Sequence, residues 1–213
     1  MANESKIVTL KNGYHVWTRK EGHGPIKILL LHGGPGMDHE YLEPFSNYIK
    51  MHPNIEIIYY DQLGSYFSDQ PNDPKLWTIP RFIEEIEEVR KAWNLDQFYL
   101  YGQSFGGLFA LEYAASKYGK HVKALIDSNM VDSYQDYAKY INKYRESMDP
   151  ADVSYMKKQE ERHNYDDPHY QELLMKLYHR CICRISPWPD AVQRTFDHMN
   201  EQVYVTLQGP TEF

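Results

Sequence analysis

Ser104 is the residue of this sequence best placed for nucleophilic chemistry. It lies in the pattern Gly-x-Ser-x-Gly, in the segment GQSFGG at 102–107, between an apolar run at 98–101 and a helical pattern at 108–113. A serine in this layout occupies a strained turn, and the flanking glycines remove side chains that would clash there. Its hydroxyl becomes a strong nucleophile when a histidine takes its proton and a carboxylate orients that histidine. The pattern predicts a catalytic nucleophile; the alternative is a glycine-rich helix start or an anion site without covalent chemistry.

A second glycine-rich loop, HGGPG at 32–36, follows the apolar run at 26–31. A backbone N–H from such a loop can reach the place where a tetrahedral oxyanion forms. The N–H of Phe105 would be the other donor, because it opens the helix after the serine. The two loops together predict an oxyanion hole beside Ser104.

Strand and helix patterns alternate through the first part of the sequence. Short strands at 6–10 and 15–18 flank the turn dipeptide Asn-Gly at 12–13 and predict a hairpin. Apolar runs predict strands buried on both faces at 26–31 and 55–60, and further strands are expected at 98–101 and 122–127. Helices are expected at 41–51, at 79–93 with Thr78 as N-cap, and at 105–118. This alternation predicts a mostly parallel sheet with helices on both faces.

From about residue 133 onward the patterns are helical only. Helices are expected at 134–147, from Pro150 after Asp149, at 170–180 and at 190–199. An all-helical insertion after a strand of an α/β core favours a cap over the active site, and a separate helical domain is the alternative. We therefore assign 1–132 to the N-terminal part of the core and 133–213 to the cap.

Composition restricts the classes of partner. The net charge of −7 argues against nucleic acid, and no apolar run approaches the roughly 18 residues that span a bilayer. The first six residues are polar and lack a signal-peptide core. Cys181 and Cys183 stand one residue apart in a predicted helix, which disfavours a disulfide or a metal site. We expect a cytoplasmic protein with reduced thiols, bound to no metal, nucleic acid or membrane.

Four segments resemble the proline iminopeptidase (prolyl aminopeptidase) family, serine peptidases with an α/β-hydrolase fold. They are HGGPG at 32–36, YDQLGS at 60–65, GQSFGG at 102–107 and QGPTEF at 208–213. The resemblance spans essentially the whole sequence in the family's order. It implies an α/β-hydrolase fold with an all-helical cap, and an enzyme without a metal or organic cofactor.

The resemblance also implies roles for individual residues. Ser104 would be the nucleophile, with the backbone amides of Gly34 and Phe105 as oxyanion donors. Glu212 would bind the free α-amino group of the substrate, and Gly33 and Tyr204 would join it in substrate binding. The implied activity releases an N-terminal residue, preferably proline, from short peptides or small amino-acid amides. An esterase or lactonase of the same fold and a non-catalytic ligand-binding protein are the alternatives.

The sequence departs from the family at two places. Phe105 stands where many members have Trp or Tyr, which leaves the preference for proline open. Family members also continue beyond the Glu-Phe segment through two more core strands. These strands carry the triad aspartate, a second acidic residue near the substrate amine and the triad histidine.

The sequence itself offers weak substitutes for the missing acid and base. Asp127 closes a predicted strand and fits a turn residue at the entrance to the cap better than a triad acid. The candidate histidines lie in the hairpin, the oxyanion loop or the cap helices: His15, His32, His163, His169, His179 and His198. A cap histidine reaching down to the serine is the one alternative.

We therefore expect the triad aspartate and histidine, and the last core strands, to lie outside these 213 residues. The strand at 122–127 would then be an apolar sheet edge, which natural proteins avoid. The sequence predicts a piece of a longer polypeptide, or a chain paired with its own C-terminal segment as a separate chain, and inactive by itself.

Overall fold

One six-stranded sheet forms the centre of the molecule. A computed structural model describes residues 3–130 and 134–212, so the predicted domain boundary at 132/133 and Phe213 lie outside the described residues. The strand order is β1-β2-β4-β3-β5-β6. The strands are β1 (Glu4–Thr9), β2 (His15–Gly22), β3 (Ile26–Leu31), β4 (Ile55–Tyr60), β5 (Phe98–Gln103) and β6 (Val122–Ser128).

Helices cover both faces of the sheet and follow β6 as a group. They are α1 (Phe45–Met51), α2 (Ile79–Ala92), α3 (Phe105–Ala115), α4 (Tyr134–Arg145), α5 (Pro150–Glu161), α6 (Pro168–Cys181), α7 (Asp190–Asp197) and α8 (Glu201–Leu207). On one face, α2 and α3 bury a cluster in which Phe82 stacks on Phe109 with ring centroids 4.6 Å apart. On the other face, Ile49 of α1 packs against strands β3 and β4.

The parallel pairing in the middle of the sheet decides where the chemistry is located. β3 pairs with β4 and β5 in parallel, and β5 pairs with β6 in parallel, which confirms the predicted mostly parallel sheet. In the β3–β5 ladder, Leu31 is the partner of Gly102. The next residues along the two strands are His32 and Gln103, and they therefore lie side by side at the same edge of the sheet. Sequence-distant loops are brought together by this register.

The helices after β6 have a core of their own and also reach into the main core. Buried residues from α5 and α6 form one cluster, which includes Met156, Tyr170 and Leu173. Val203 of α8 belongs instead to the main core cluster. The N–H of Asn200 donates to the carbonyl of Gly36 over 2.8 Å, so the chain before α8 is fastened to the glycine-rich loop.

Several predicted boundaries were wrong in the first part of the chain. The predicted helix at 41–51 is a 3-10 turn, Glu40–Leu42, followed by α1, because Pro44 lacks the N–H that a continuous helix needs. The helix from Phe105 ends at Ala115 and not at 118. There the Ser116 hydroxyl accepts from the N–H of Tyr118 and competes with the helical bonds. The hairpin strands are longer than predicted.

Other predictions were wrong after β5. Asp127 is not a turn residue, since β6 continues to Ser128. Cys183 lies beyond the end of α6, although both cysteines are free thiols. The sequence patterns did not predict α8, a short helix rich in β-branched residues. It starts where the Asn200 side chain accepts from the N–H groups of Gln202 and Val203.

Among the described strands, β6 pairs with β5 alone. Its residues are half-buried or exposed along its length, and Ile126 is 44% exposed.

The helices that the structure describes are all too short or too polar to cross a membrane.

Candidate active site

Ser104 lies in a strained turn between β5 and α3. Its backbone has φ 53° and ψ −130°, a conformation that L residues rarely adopt. The flanking glycines make the turn possible. A Cβ on Gly106 would collide with the carbonyl oxygens of Leu31 and His32, and one on Gly102 would collide with the backbone of Gly106. The turn presents the serine side chain at the edge of the sheet, as the Gly-x-Ser-x-Gly pattern predicts.

The loop after β3 faces this serine. A Cβ on Gly33 would lie 2.9 Å from the Cβ of Ser104, so only glycine allows the two segments to lie this close. The N–H of Gly34 makes no hydrogen bond to any other described residue. Phe105 opens α3, and the first N–H groups of a helix have no partner within it. Within the part of the chain that the structure describes, both N–H groups thus lack a partner beside the serine, which is compatible with the predicted oxyanion hole.

His32 orients the loop and is not available as a base. The N–H of Gln62 donates to Nε2 of His32 over 3.1 Å, so Nδ1 carries the proton and donates to the carbonyl oxygen of Gly33 over 2.9 Å. Burial lowers the pKa of His32 and keeps the ring neutral. Because the carbonyl and the N–H of one peptide point in opposite directions, this bond turns the N–H of Gly34 away from His32.

The YDQLGS segment holds the glycine-rich loop after β3 in place. Besides its backbone bond to the ring of His32, Gln62 donates from Nε2 to the carbonyl of His32 over 2.9 Å. The hydroxyl of Ser65 lies 3.3 Å from Nε2 of the same ring. Asp61 accepts from the N–H of His39 over 2.9 Å and so anchors the far end of the loop. The function of this motif is structural support for the glycine-rich loop.

A cavity of about 180 Å³ opens in front of Ser104, roofed by helices from α6 onward. Apolar side chains dominate its wall, and its polar side chains include Ser104, Gln103 and Glu212. Its lining residues are Gly34, Met37, Tyr41, Gln103, Ser104, Tyr178, Ile182, Cys183, Val192, Thr195, Phe196, Met199, Tyr204 and Glu212. A side cavity of about 30 Å³ shares Gly34, Ser104 and Glu212 with it. The serine and the carboxylate therefore face one compartment.

Glu212 is held in this compartment by hydroxyl donors. The hydroxyl of Tyr204 donates to Oε1 over 2.6 Å, and the hydroxyl of Tyr137 donates to Oε2. Nε2 of Gln208 lies 3.4 Å from Oε2. Burial, reinforced by the Glu212 charge, raises the pKa of Tyr204 far above its ordinary value, so its hydroxyl stays a donor. A carboxylate has about four lone-pair sites, so a position remains for a substrate ammonium.

Phe105 contributes its ring mainly to the core. It is buried and packs edge-to-face on Phe109 with centroids 5.2 Å apart. It reaches only the side cavity, so the main compartment is shaped by cap residues such as Tyr178 and Phe196. The apolar wall of this compartment suits a small apolar side chain.

Within the described residues, no histidine and no aspartate lines either cavity at Ser104. Of the histidines considered from sequence, His15 pairs with Asp69 and His198 pairs with Glu40. Asp127 lies against Gly107 in α3, and burial raises its pKa. The described residues bring together Ser104 and the N–H groups of Gly34 and Phe105, and they line the two cavities with neither a histidine nor an aspartate.

Asp38, Glu40 and His198 form a group with ligand atoms within 4.8 Å of one another, a spacing that metal sites share. Nδ1 of His198 lies 2.7 Å from Oε2 of Glu40 and 3.5 Å from Oδ2 of Asp38. Nε of Arg194 lies 3.1 Å from Oε1 of Glu40. Each carboxylate already faces a cationic or proton-donating side chain, so the group fastens α7 to the core as an ion-pair network.

Sequence reasoning missed several residues of the site. Tyr137 binds Glu212 from α4, 75 positions earlier in the chain, and Tyr178 lines the cavity from α6. Tyr41 hydrogen bonds to Gln103 from the 3-10 turn. None of these tyrosines stands in a motif, so the sequence carried no signal for them. Gln103 stands inside the serine motif and could have been considered.

Comparisons with known proteins supply a family context for this geometry. The sequence matches the family of the alpha/beta hydrolase fold over residues 27–157. It is 45% identical over 210 residues to the proline iminopeptidase of Elizabethkingia meningoseptica, covering 97% of this chain and 70% of that protein. It is 44% identical to the proline iminopeptidase of Flavobacterium johnsoniae, with coverages of 97% and 71%.

Solved structures agree with the sequence relatives. The crystal structure of VinJ matches with a TM-score of 0.91 at 28% identity, over 99% of this chain and 72% of that one. The crystal structure of proline iminopeptidase from Mycobacterium smegmatis matches with a TM-score of 0.84 at 25% identity, with the same coverages.

Proposed function

This chain belongs to the proline iminopeptidase family of α/β hydrolases, and on that premise we propose that it carries the nucleophile, oxyanion hole and amino-group site of a serine aminopeptidase. The predicted family is thereby confirmed. The observation that carries the proposal is the shared compartment of Ser104 and Glu212. With the carboxylate binding the substrate's amino group and the serine attacking the first carbonyl, the compartment would select the N-terminal residue.

The proposed substrate is a short peptide or amino-acid amide with a free N-terminus. Its ammonium group pairs with Glu212, and the side chain of its first residue packs against the apolar wall that includes Tyr178 and Phe196. A small ring such as that of proline suits this wall, because it brings apolar surface and no polar group to satisfy. The substrate carbonyl then lies at Ser104.

In the proposed reaction, the hydroxyl of Ser104 attacks the carbonyl carbon and gives its proton to a general base. The negative charge on the carbonyl oxygen is stabilised by the N–H groups of Gly34 and Phe105. The protonated base donates to the leaving amine, and water later releases the acyl group from the serine. No step needs a metal or organic cofactor.

We propose that the 213 residues do not turn over substrate by themselves. The support is that, within the described residues, neither cavity at Ser104 is lined by a histidine or an aspartate. A C-terminal segment, in the same polypeptide or as a separate chain, would supply the base and its orienting acid.

We further propose that the reaction takes place in the cytoplasm, where free thiols such as Cys181 and Cys183 persist.

Three preparations test this proposal with proline arylamide as substrate. They are the 213-residue chain, the same chain completed with the part of the Elizabethkingia relative outside the aligned 210 residues, and the completed chain carrying Ser104→Ala. We expect hydrolysis from the completed enzyme only. N-acetylation of the substrate should abolish it, because an acetylated amine cannot pair with Glu212.

Other results would contradict specific parts of the proposal. Turnover by Ser104→Ala excludes this serine as the nucleophile. Equal turnover of acetylated arylamide or of simple acyl esters identifies an esterase. Absence of labelling of the completed enzyme by a fluorophosphonate indicates a non-catalytic binding protein. Full activity of the 213-residue chain shows that it contains its own base.

A further inference from the structure

One side chain, Tyr41, contacts both chain segments that surround the reacting serine: the backbone of Gly33 and the side chain of Gln103. Its hydroxyl accepts a hydrogen bond from the N–H of Gly33 over 2.7 Å and donates one to Oε1 of Gln103 over 2.6 Å. Gly33 directly precedes the oxyanion donor Gly34, and Gln103 directly precedes Ser104. A single oxygen atom therefore fixes the spacing between the two halves of the site.

The chemistry of the partners fixes the direction of both bonds. The N–H of Gly33 can only donate, so the oxygen of Tyr41 accepts there and its one proton is left for Gln103. Burial raises the pKa of Tyr41 far above its ordinary value, so the hydroxyl keeps that proton. The ring packs in the apolar cluster of Leu30 and Tyr59, which holds it in this position.

The backbone of Tyr41 also reaches the cap. Its N–H donates to Oγ1 of Thr195 over 3.0 Å, and that hydroxyl donates to Oδ1 of Asp38 over 2.6 Å. Thr195 lies on α7, and both Tyr41 and Thr195 line the cavity at Ser104. Tyr41 is thus the point at which the cap, the glycine-rich loop and the serine turn meet.

We propose that Tyr41 is a positioning residue of the oxyanion hole. Its hydroxyl holds Gly33 and Gln103 in place so that the N–H groups of Gly34 and Phe105 converge on the oxygen of the reacting carbonyl. The proposal rests on the proposed function, since it takes Ser104 as the nucleophile. Loss of one oxyanion donor typically lowers kcat by about 10²–10³. Displaced donors slow the chemical step and leave ground-state binding at Glu212 unchanged.

The test compares Tyr41→Phe with Tyr59→Phe in the completed enzyme. Tyr59 is buried in the same apolar cluster and its hydroxyl lies 3.0 Å from Oγ of Ser46, so the control removes a buried tyrosine hydroxyl outside the site. We expect kcat for proline arylamide to fall about 10- to 100-fold in Tyr41→Phe, with KM changed less than about threefold. Tyr59→Phe should alter neither constant.

A second measurement does not depend on catalysis. Hydrogen exchange at the amides of Gly33 and Gly34 is followed by NMR in the same two variants. In Tyr41→Phe the N–H of Gly33 loses its acceptor, so exchange in this loop should become faster, whereas Tyr59→Phe should leave it unchanged.

The outcomes separate this proposal from the proposed function. Unaltered kcat in Tyr41→Phe overturns it, and so does an equal loss in both variants, which would indicate general destabilisation. A rise in KM alone would assign Tyr41 to ground-state binding and also overturns it. If the completed enzyme has no activity at all, the proposed function fails and loop exchange decides: faster exchange in Tyr41→Phe supports the positioning role, and unchanged exchange overturns it.

Discussion

The Nδ1 atom of His32 lies 2.9 Å from the carbonyl oxygen of Gly33, the residue directly after it. This bond fixes the plane of the peptide that joins Gly33 to Gly34, and so fixes the direction of the Gly34 N–H. In the sequence this histidine stands among the candidate bases; in the structure it orients the N–H of Gly34, the proposed oxyanion donor. Its other nitrogen is occupied by the N–H of Gln62.

Replacing His32 should therefore reduce activity without touching the nucleophile. In His32→Asn the N–H of Gln62 loses its acceptor and the Gly33 peptide loses its restraint. We expect kcat of the completed enzyme to fall about 10²–10³-fold and the free energy of unfolding to fall by about 1–3 kcal/mol. Steady-state kinetics and urea unfolding measure the two effects. Wild-type kcat in the variant would contradict the orienting role.

The same histidine should give stability a pH dependence of known sign. Burial lowers the pKa of His32 in the folded state. As the pH falls below about 6.5, the unfolded chain takes up a proton that the folded chain does not, so the free energy of unfolding declines. The His32→Asn variant lacks this pH-dependent contribution to the free energy of unfolding. The stability advantage of the unsubstituted protein over the variant should thus shrink from pH 7.5 to pH 5, and a constant difference would contradict the buried neutral ring.

Relief of the strained turn should stabilise the fold and abolish catalysis. Ser104 holds φ at 53°, and such a conformation costs a residue with a Cβ about 1–3 kcal/mol. Ser104→Gly removes the Cβ and should raise the free energy of unfolding by about 1 kcal/mol after its own entropy cost. Calorimetry should show a melting temperature about 2–4 °C higher. The matched control Ser104→Ala keeps the Cβ and should show no such gain.

Glu212 should determine whether an unblocked amine is required. Glu212→Gln keeps the size of the side chain and removes its charge, so the substrate ammonium loses a charge-assisted bond worth about 1.5–3 kcal/mol. We expect kcat/KM of the completed enzyme for proline arylamide to fall about 10- to 100-fold. Labelling of Ser104 by a fluorophosphonate, which has no amine, should be unaffected. An equal loss in both assays would show a general defect of the site.

Thr195 should hold the cap helix α7 to the core. In Thr195→Val the carboxylate of Asp38 and the N–H of Tyr41 both lose a partner in a buried environment. We expect a loss of about 1–3 kcal/mol in stability and faster hydrogen exchange across 190–200. Thr206→Val is the control, because Thr206 is exposed on α8 and bonds only within that helix. Equal effects of the two substitutions would contradict the fastening role.

Local patterns in the sequence were sufficient for the strands, the serine turn and the family. The runs at 26–31 and 55–60 are strands β3 and β4 at the predicted bounds, because a buried parallel strand is a continuous apolar segment. The glycines around Ser104 predict a tight turn, because a Cβ at Gly102 or Gly106 would collide with the backbone there. Helix ends were predicted less well where side chains compete with the backbone, as at Ser116.

Only the tertiary structure decided which residues share the site. The register of β3 against β5 places His32 beside the serine turn, and the path of the cap returns Glu212 to the same cavity between Tyr137 and Tyr204. Tyr41 likewise reaches Gln103 from 62 positions away. Such contacts leave no periodicity or spacing in a sequence, because they depend on how whole elements pack. The sequence determined that Ser104 stands in a strained turn between a strand and a helix. Packing determined which hydroxyls, amides and carboxylates surround it.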